Sequence, residues 1–181
     1  MEVKALKFGG LTAKRPIVQG GMGVGYPFPL WRGMWRNAAV SARFPACIPL
    51  QRGGFKENPF RANLRAIGNE LEKAKEIANG GIIGFNFMTV MNHYEEYVKE
   101  AIAAGADFIV SGAGLPVNLA KYAAGTRAAI LPIVSSARAL KLIVKQWQRA
   151  DRLPDAVVVE GPLAGGHLGY PYGHLVDGTF D

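Results

Sequence analysis

Cysteine is nearly absent from these 181 residues, with Cys47 standing alone. One thiol cannot form an internal disulfide, which excludes a cross-linked secreted scaffold and fits a reducing compartment. Histidine is also scarce, limited to His93, His167 and His174. No pairing of these with carboxylates has metal-ligand spacing, so no metal is expected. No apolar run approaches the roughly 20 residues of a membrane span. Met1-Glu2-Val3-Lys4 carries a charge of each sign and no signal-like apolar core. A cytoplasmic protein with no membrane partner is expected.

Acidic residues are missing from one region in particular. Residues 1–56 hold nine Lys or Arg and only Glu2, so the whole formal net charge of +7 arises there. Residues 57–181 set twelve basic side chains against thirteen acidic ones. The basic residues are scattered rather than striped along a helix, and no helix-turn-helix, RNA-recognition or zinc-finger pattern accompanies them. Nucleic acid is therefore not an expected partner. The chain is 49% hydrophobic with a mean hydropathy of +0.08, ordinary for one globular domain over residues 1–181.

From Asn58 onward the pattern alternates between helix and strand. Asn58-Pro59 is a helix start, a capping side chain followed by proline at the first helical position. Leu64, Ile67, Leu71, Ala74 and Ile77 then share one helical face, to about Ala78. A strand is predicted over Ile82–Met88, and a helix over Asn92–Ala104 with Tyr94, Val98 and Ile102 inward. Further strands are predicted at Phe108–Ser111, Ile130–Val134 and Ala156–Glu160, with a short helix after Pro116 and an amphipathic one over residues 136–149. With Ile17-Val18 this makes five strands. Short strands alternating with helices imply an α/β fold with a parallel sheet and right-handed crossovers.

A sixth strand is expected between residues 26 and 54, where the pattern fails. Tyr26–Arg52 holds four prolines, two of the three tryptophans, four arginines and no acid. Proline at those spacings obstructs a helix interior and a central strand alike. A long irregular loop is one reading, though such loops are uncommon inside compact domains; a frame error or local corruption of the sequence across this aberrant segment is the reading we draw.

The richest run is Glu160-Gly161-Pro162-Leu163-Ala164-Gly165-Gly166-His167-Leu168-Gly169. It follows Ala156-Val157-Val158-Val159, which reads as a buried parallel strand. Paired glycines let backbone approach a flat or anionic ligand, and the histidine comes at the strand's C-terminal mouth, where α/β proteins place their chemistry. A glycine turn with an incidental surface histidine fits the same residues.

This run resembles the signature of the nitronate monooxygenase (2-nitropropane dioxygenase) family, FMN-dependent TIM barrels related to the flavin-dependent enoyl-ACP reductases. Other stretches agree in order: Pro16-Ile17-Val18-Gln19-Gly20-Gly21-Met22-Gly23, Gly81-Ile82-Ile83-Gly84-Phe85-Asn86, Asp107–Gly114 and Pro132–Ser136. The resemblance implies an α/β incomplete (β/α)8 TIM barrel of about six βα units, with a disrupted second unit and strands seven and eight missing. A complete barrel takes roughly 250 residues, so the chain is expected to be a fragment. The tail over residues 170–181 departs from the family pattern.

The resemblance also implies an oxidoreductase that oxidises alkyl nitronates with O2, the substrate being a nitronate or nitroalkane. His167 is the expected base, because imidazole titrates near neutrality and can take a proton from carbon α to a nitro group. Gly21, Met22, Gly23, Asn86, Ser135, Glu160, Gly165 and Gly166 are the expected FMN contacts. Gln19 is a weaker case, and Ser111 and Ser135 are explained as well by capping as by ligand contact. The FMN phosphate normally needs several backbone N–H groups from the last two barrel loops. Weak FMN binding, or none, is therefore expected of this chain. An enoyl-ACP reductase and a non-catalytic fragment are the alternative readings.

Overall fold

The computed structural model describes residues 4–20, 39–43, 57–165, 169–170 and 172–178, with backbone alone at 39–43 and at His174. Strands β1 (Leu6–Phe8) and β2 (Leu11–Ala13) form an antiparallel hairpin. Then come β3 (Val18–Gln19), β4 (Ala39–Arg43), α1 (Pro59–Ala78), β5 (Ile82–Met88), α2 (Tyr94–Ala103) and β6 (Phe108–Gly112). The order continues with α3 (Leu119–Tyr122), β7 (Ala129–Val134), α4 (Ala137–Trp147), β8 (Val158–Val159) and α5 (Tyr172–Asp177). Strands β3 to β8 form one six-stranded sheet in chain order, and every pairing within it is parallel.

Local chemistry explains the boundaries. Asn58 Oδ1 accepts the Arg61 N–H at 2.9 Å to cap α1, and Asn79 ends that helix with a left-handed φ of 45°. Ser136 Oγ likewise accepts the Ala139 N–H at the start of α4. Alternation along β5 splits its side chains between two faces. Ile83, Phe85 and Phe87 join Ile67, Leu71, Val98, Ile109, Ile130, Ile143 and Trp147 in a core beneath the helices. Full burial of each such side chain contributes about 1.5–3 kcal/mol. Trp147 is fully buried, and its indole N–H donates to Pro116 O at 2.9 Å.

The opposite face of the sheet has its own core, which sequence reasoning missed. Phe8 and Ala13 of the hairpin pack there with Phe108, Val110, Ala129 and Leu131. Phe8 meets Phe108 edge to face at 5.7 Å. The signal was legible: Gly9-Gly10 between two short alternating runs is a two-residue hairpin turn, and both glycines have positive φ. The hairpin fills the part of this face near the strands' N-terminal ends. Side chains nearer the C-terminal ends are left to form a site.

Several expected elements shift. Helix α2 turns Tyr97, Val98 and Ala101 inward, leaving Tyr94 and Ile102 half-buried, whereas the pattern pointed to Tyr94, Val98 and Ile102. Tyr97 goes in because its hydroxyl accepts from Asn63 Nδ2 on the facing helix. Strand β8 pairs over two residues instead of five, with β7 as its neighbour among the described strands. The sixth strand expected in the proline-rich segment is present as β4, between β3 and β5. It uses Ala39-Val40-Ser41-Ala42-Arg43, a proline-free window between Pro29 and Pro45. The other residues of that segment lie outside the described ones.

Candidate functional site

The ladder aligns the residues that share the hairpin's face. Asn86 pairs with Val110, and Val110 with Leu131. One step further toward the C-terminal ends, Met88 pairs with Gly112 and Ile133 with Val158. Ser135 and Glu160 follow two residues beyond that last pair. The glycine of β5 makes the packing possible: a Cβ at Gly84 would lie 2.3 Å from Phe108 O.

Asn86 is half-buried in a strand of otherwise apolar residues, and no hydrogen bond from its side chain to another described residue is formed. A part-buried amide on an open face offers its donors and acceptor to a ligand. Among the described residues, no heavy atom lies within 4 Å of where a Cβ would stand on Gly161 or Gly165. These features fit the edge of a planar heteroaromatic group such as flavin. Gln19 Oε1 is buried without a hydrogen-bond partner. However, Gln19 pairs with Val40 and Val40 with Ile83, which places it on the helix-facing register.

Ser135 and Glu160 come together over one residue, Gly169. Ser135 Oγ–H donates to Gly169 O at 2.7 Å, and the Gly169 N–H donates to Glu160 Oε2 at 2.8 Å. Tyr170 adds a bond from its hydroxyl to Glu160 O at 2.9 Å. Gly169 and Tyr170 were not singled out from the sequence. The signal for Gly169 was its place at the end of the glycine-rich run. Gly21, Met22, Gly23, Gly166 and His167 lie outside the described residues.

Ser111 separates from Ser135 by strand parity. It lies on the helix side, fully buried, with its Oγ 2.7 Å from Tyr94 Oη and 3.1 Å from Phe87 O. Its role is internal. His93 is half-exposed at the start of α2, stacked on Phe60 at 4.2 Å and 3.4 Å from Glu96.

At the opposite ends of the strands a structural device repeats. Asp107 Oδ2 accepts the Ile83 N–H and Asp155 Oδ2 accepts the Ile130 N–H, both at 2.8 Å. Each carboxylate also faces a cation, Lys75 at 3.6 Å and Arg152 at 3.2 Å. Arg152 further donates to the carbonyls of Ala123, Thr126 and Ala128. These groups hold the sheet together at the end away from the site. Among the described residues no cluster of three metal-ligating side chains occurs, and no helix is long and apolar enough to cross a membrane.

Comparisons with known proteins agree with this picture. The family model for nitronate monooxygenase matches residues 54–181. Among solved structures, FabK from Thermotoga maritima superposes with a TM-score of 0.60 at 20% identity, covering 87% of this chain and 44% of that one. A point variant of the same protein gives 0.59 at 22% identity, covering 87% and 46%. This chain thus spans less than half the length of either, and at such identity the likeness shows the fold alone. No curated protein matches the chain.

Proposed function

The chain belongs to the nitronate monooxygenase family, and from that premise we propose that it carries much of the flavin face of an FMN-dependent oxidoreductase acting on alkyl nitronates with O2. In this reading the described sheet supplies six strands of a (β/α)8 barrel. The observation that carries the reading is the arrangement at the C-terminal ends of β5 to β8. There Asn86, an amide with no side-chain hydrogen bond to another described residue, shares one face with the strand ends that anchor the glycine-rich loop.

FMN, when bound, supplies the electron acceptor that O2 restores. The chain's own residues do the rest. Asn86 hydrogen-bonds a polar edge of the ring, Met22 offers it a polarisable surface, and Gly21, Gly23, Gly165 and Gly166 have no Cβ to stand in its way. Ser135 and Glu160 border the same site. His167 takes the proton from the carbon α to the nitro group, leaving the anionic nitronate as the electron-rich species to be oxidised. The substrate is accordingly a small nitroalkane or its nitronate.

Titration of FMN and of riboflavin, followed by quenching of flavin fluorescence, tests this reading against a non-catalytic chain that keeps the fold but not the cofactor. Saturable quenching that weakens in Asn86→Ala supports the flavin face. No saturable quenching by either flavin leaves the non-catalytic reading standing.

A further inference from the structure

Helix α4 and the short helical turn that follows it, Gln148–Ala150, carry Arg138, Lys141, Lys145 and Arg149, all exposed. Successive spacings of three, four and four residues put them in one row along a single face, about 16 Å from end to end. Leu142 stands within the row and is 47% exposed. From Ser136 to Leu153 the one acid is Asp151, beyond the row's end. Among the described residues none of the four cations forms an ion pair. The charge excess of residues 1–56 is scattered, whereas this row lies in the charge-balanced part of the chain.

Local energetics works against such a row. Like charges three or four residues apart repel along a helix, and Arg138 in the first turn opposes the helix dipole with no acid beside it. The exposed sides of α1 and α2 mix their charges instead, with Glu70 facing Lys73 and Glu95 facing Lys99. Ile143 and Trp147 fix the opposite side of α4 in the core, so the row stands on a rigid support.

We propose that this face of α4 is a docking surface for an acidic helix of a partner protein, with carboxylates meeting the four cations and an apolar side chain against Leu142. Charge and shape choose the occupant. The net charge of +7 opposes a second copy of the chain. A membrane takes up the apolar side of an amphipathic helix, and that side of α4 is buried in the core. A phosphate backbone offers Leu142 nothing. A helix presents carboxylates and apolar groups at the same three- and four-residue intervals as the row. The surface is independent of the flavin reading.

The probe is a stapled helical peptide with four glutamates at the spacing of the row and one leucine among them. Its control has the same composition with the glutamates spread around the helix. Fluorescence anisotropy at low salt is expected to show saturable binding of the first peptide, weaker binding of the control, and a steep loss as salt is raised. Lys141→Gln combined with Lys145→Gln should weaken the first peptide by about 3- to 30-fold, the loss of two exposed ion pairs. Leu142→Ser should weaken it by about 3- to 10-fold. Lys145→Glu should bind it poorly and recover with a peptide whose facing glutamate is replaced by lysine, a rescue that a folding defect would not allow.

No saturable binding, or equal binding of the two peptides, overturns the docking surface. Binding untouched by the double substitution places the contact elsewhere and overturns the assignment to α4. Duplex RNA or phosphatidylserine vesicles held more tightly than the peptide, and lost in the same variants, overturn the choice of occupant. So does a dimer in sedimentation that dissociates in the double variant.

Discussion

The Tyr94 hydroxyl lies 2.7 Å from Ser111 Oγ, and Ser111 Oγ in turn donates to Phe87 O at 3.1 Å. Ser111 has one hydrogen, and Phe87 O can only accept, so Tyr94 must be the donor to Ser111. This order makes the two ends of the chain unequal. Ser111→Ala strands the Tyr94 hydroxyl and takes the hydroxyl donor from the Phe87 carbonyl, which costs about 2–3 kcal/mol. Tyr94→Phe removes its own donor and leaves the Ser111 bond intact, for about 1 kcal/mol. Denaturant melts of the two variants check the order. Equal losses would mean the hydrogen bonds run the other way.

Burial pushes the Tyr94 hydroxyl up from 10.0 to about 12, assisted by the neighbouring Tyr122. The folded state therefore keeps this proton where the unfolded chain has lost it. The associated stability is fully present below pH 10 and declines as pH rises through 10 toward 12. The loss is on the order of 2–3 kcal/mol across that window. Urea midpoints measured from pH 9 to 12 should fall more steeply in the wild type than in Tyr94→Phe. Parallel curves would remove Tyr94 as the source.

Much of this fold is legible in the sequence, for a physical reason. Helix α1 and strand β5 announce themselves through Asn58-Pro59, a 3.6-residue apolar stripe and a β-branched run closed by glycines. What period-2 alternation does not reveal is which face of a strand meets helices and which meets ligand. Ser111 and Ser135 therefore look alike as letters and differ only once the ladder assigns their sides. The Asp107 and Asp155 devices join residues 24 and 25 positions apart, beyond any local pattern. Asn86 was readable because an amide inside an apolar strand needs a partner somewhere. Gly169 was not, because its tightness depends on two side chains from other strand ends.

Asp155 and Asp107 make matched tests of the far end of the sheet. Asp155→Ala leaves the Ile130 N–H without its acceptor and the part-buried Arg152 without its carboxylate, with carbonyls alone for partners, a loss of about 2–4 kcal/mol. Asp155→Asn retains an acceptor for the N–H and should lose about half as much. Asp107→Ala should cost less than Asp155→Ala, since Lys75 is more exposed than Arg152 and lies further from its carboxylate. None of the three should alter flavin binding. A loss of flavin affinity in Asp155→Asn would tie this end of the sheet to the site.

Two glycines should respond in opposite directions to the same substitution. Gly84→Ala drives a methyl to within 2.3 Å of Phe108 O, and backbone in a central strand cannot step aside, so a loss of about 3 kcal/mol or more is expected. Gly68→Ala adds a methyl in the interior of α1 with nothing within 4 Å, and should stabilise by about 0.5–1 kcal/mol. Thermal melts settle both signs. A neutral Gly84→Ala would mean that β5 and β6 are not packed as closely as their register implies.

The last prediction concerns His167. Replacing it with asparagine keeps a neutral polar side chain of similar length, so flavin binding should not change. With FMN supplied in excess, turnover of a neutral nitroalkane should fall about 10²–10⁴-fold, the usual contribution of a positioned general base. A preformed nitronate has already lost that proton, so its oxidation should fall far less. Raising the pH toward the pKa of the nitroalkane supplies the anion from solution and should narrow the gap between the two substrates in the variant. Equal losses with both substrates would make His167 an orienting group instead of a base, and no loss with either would place it outside the active site.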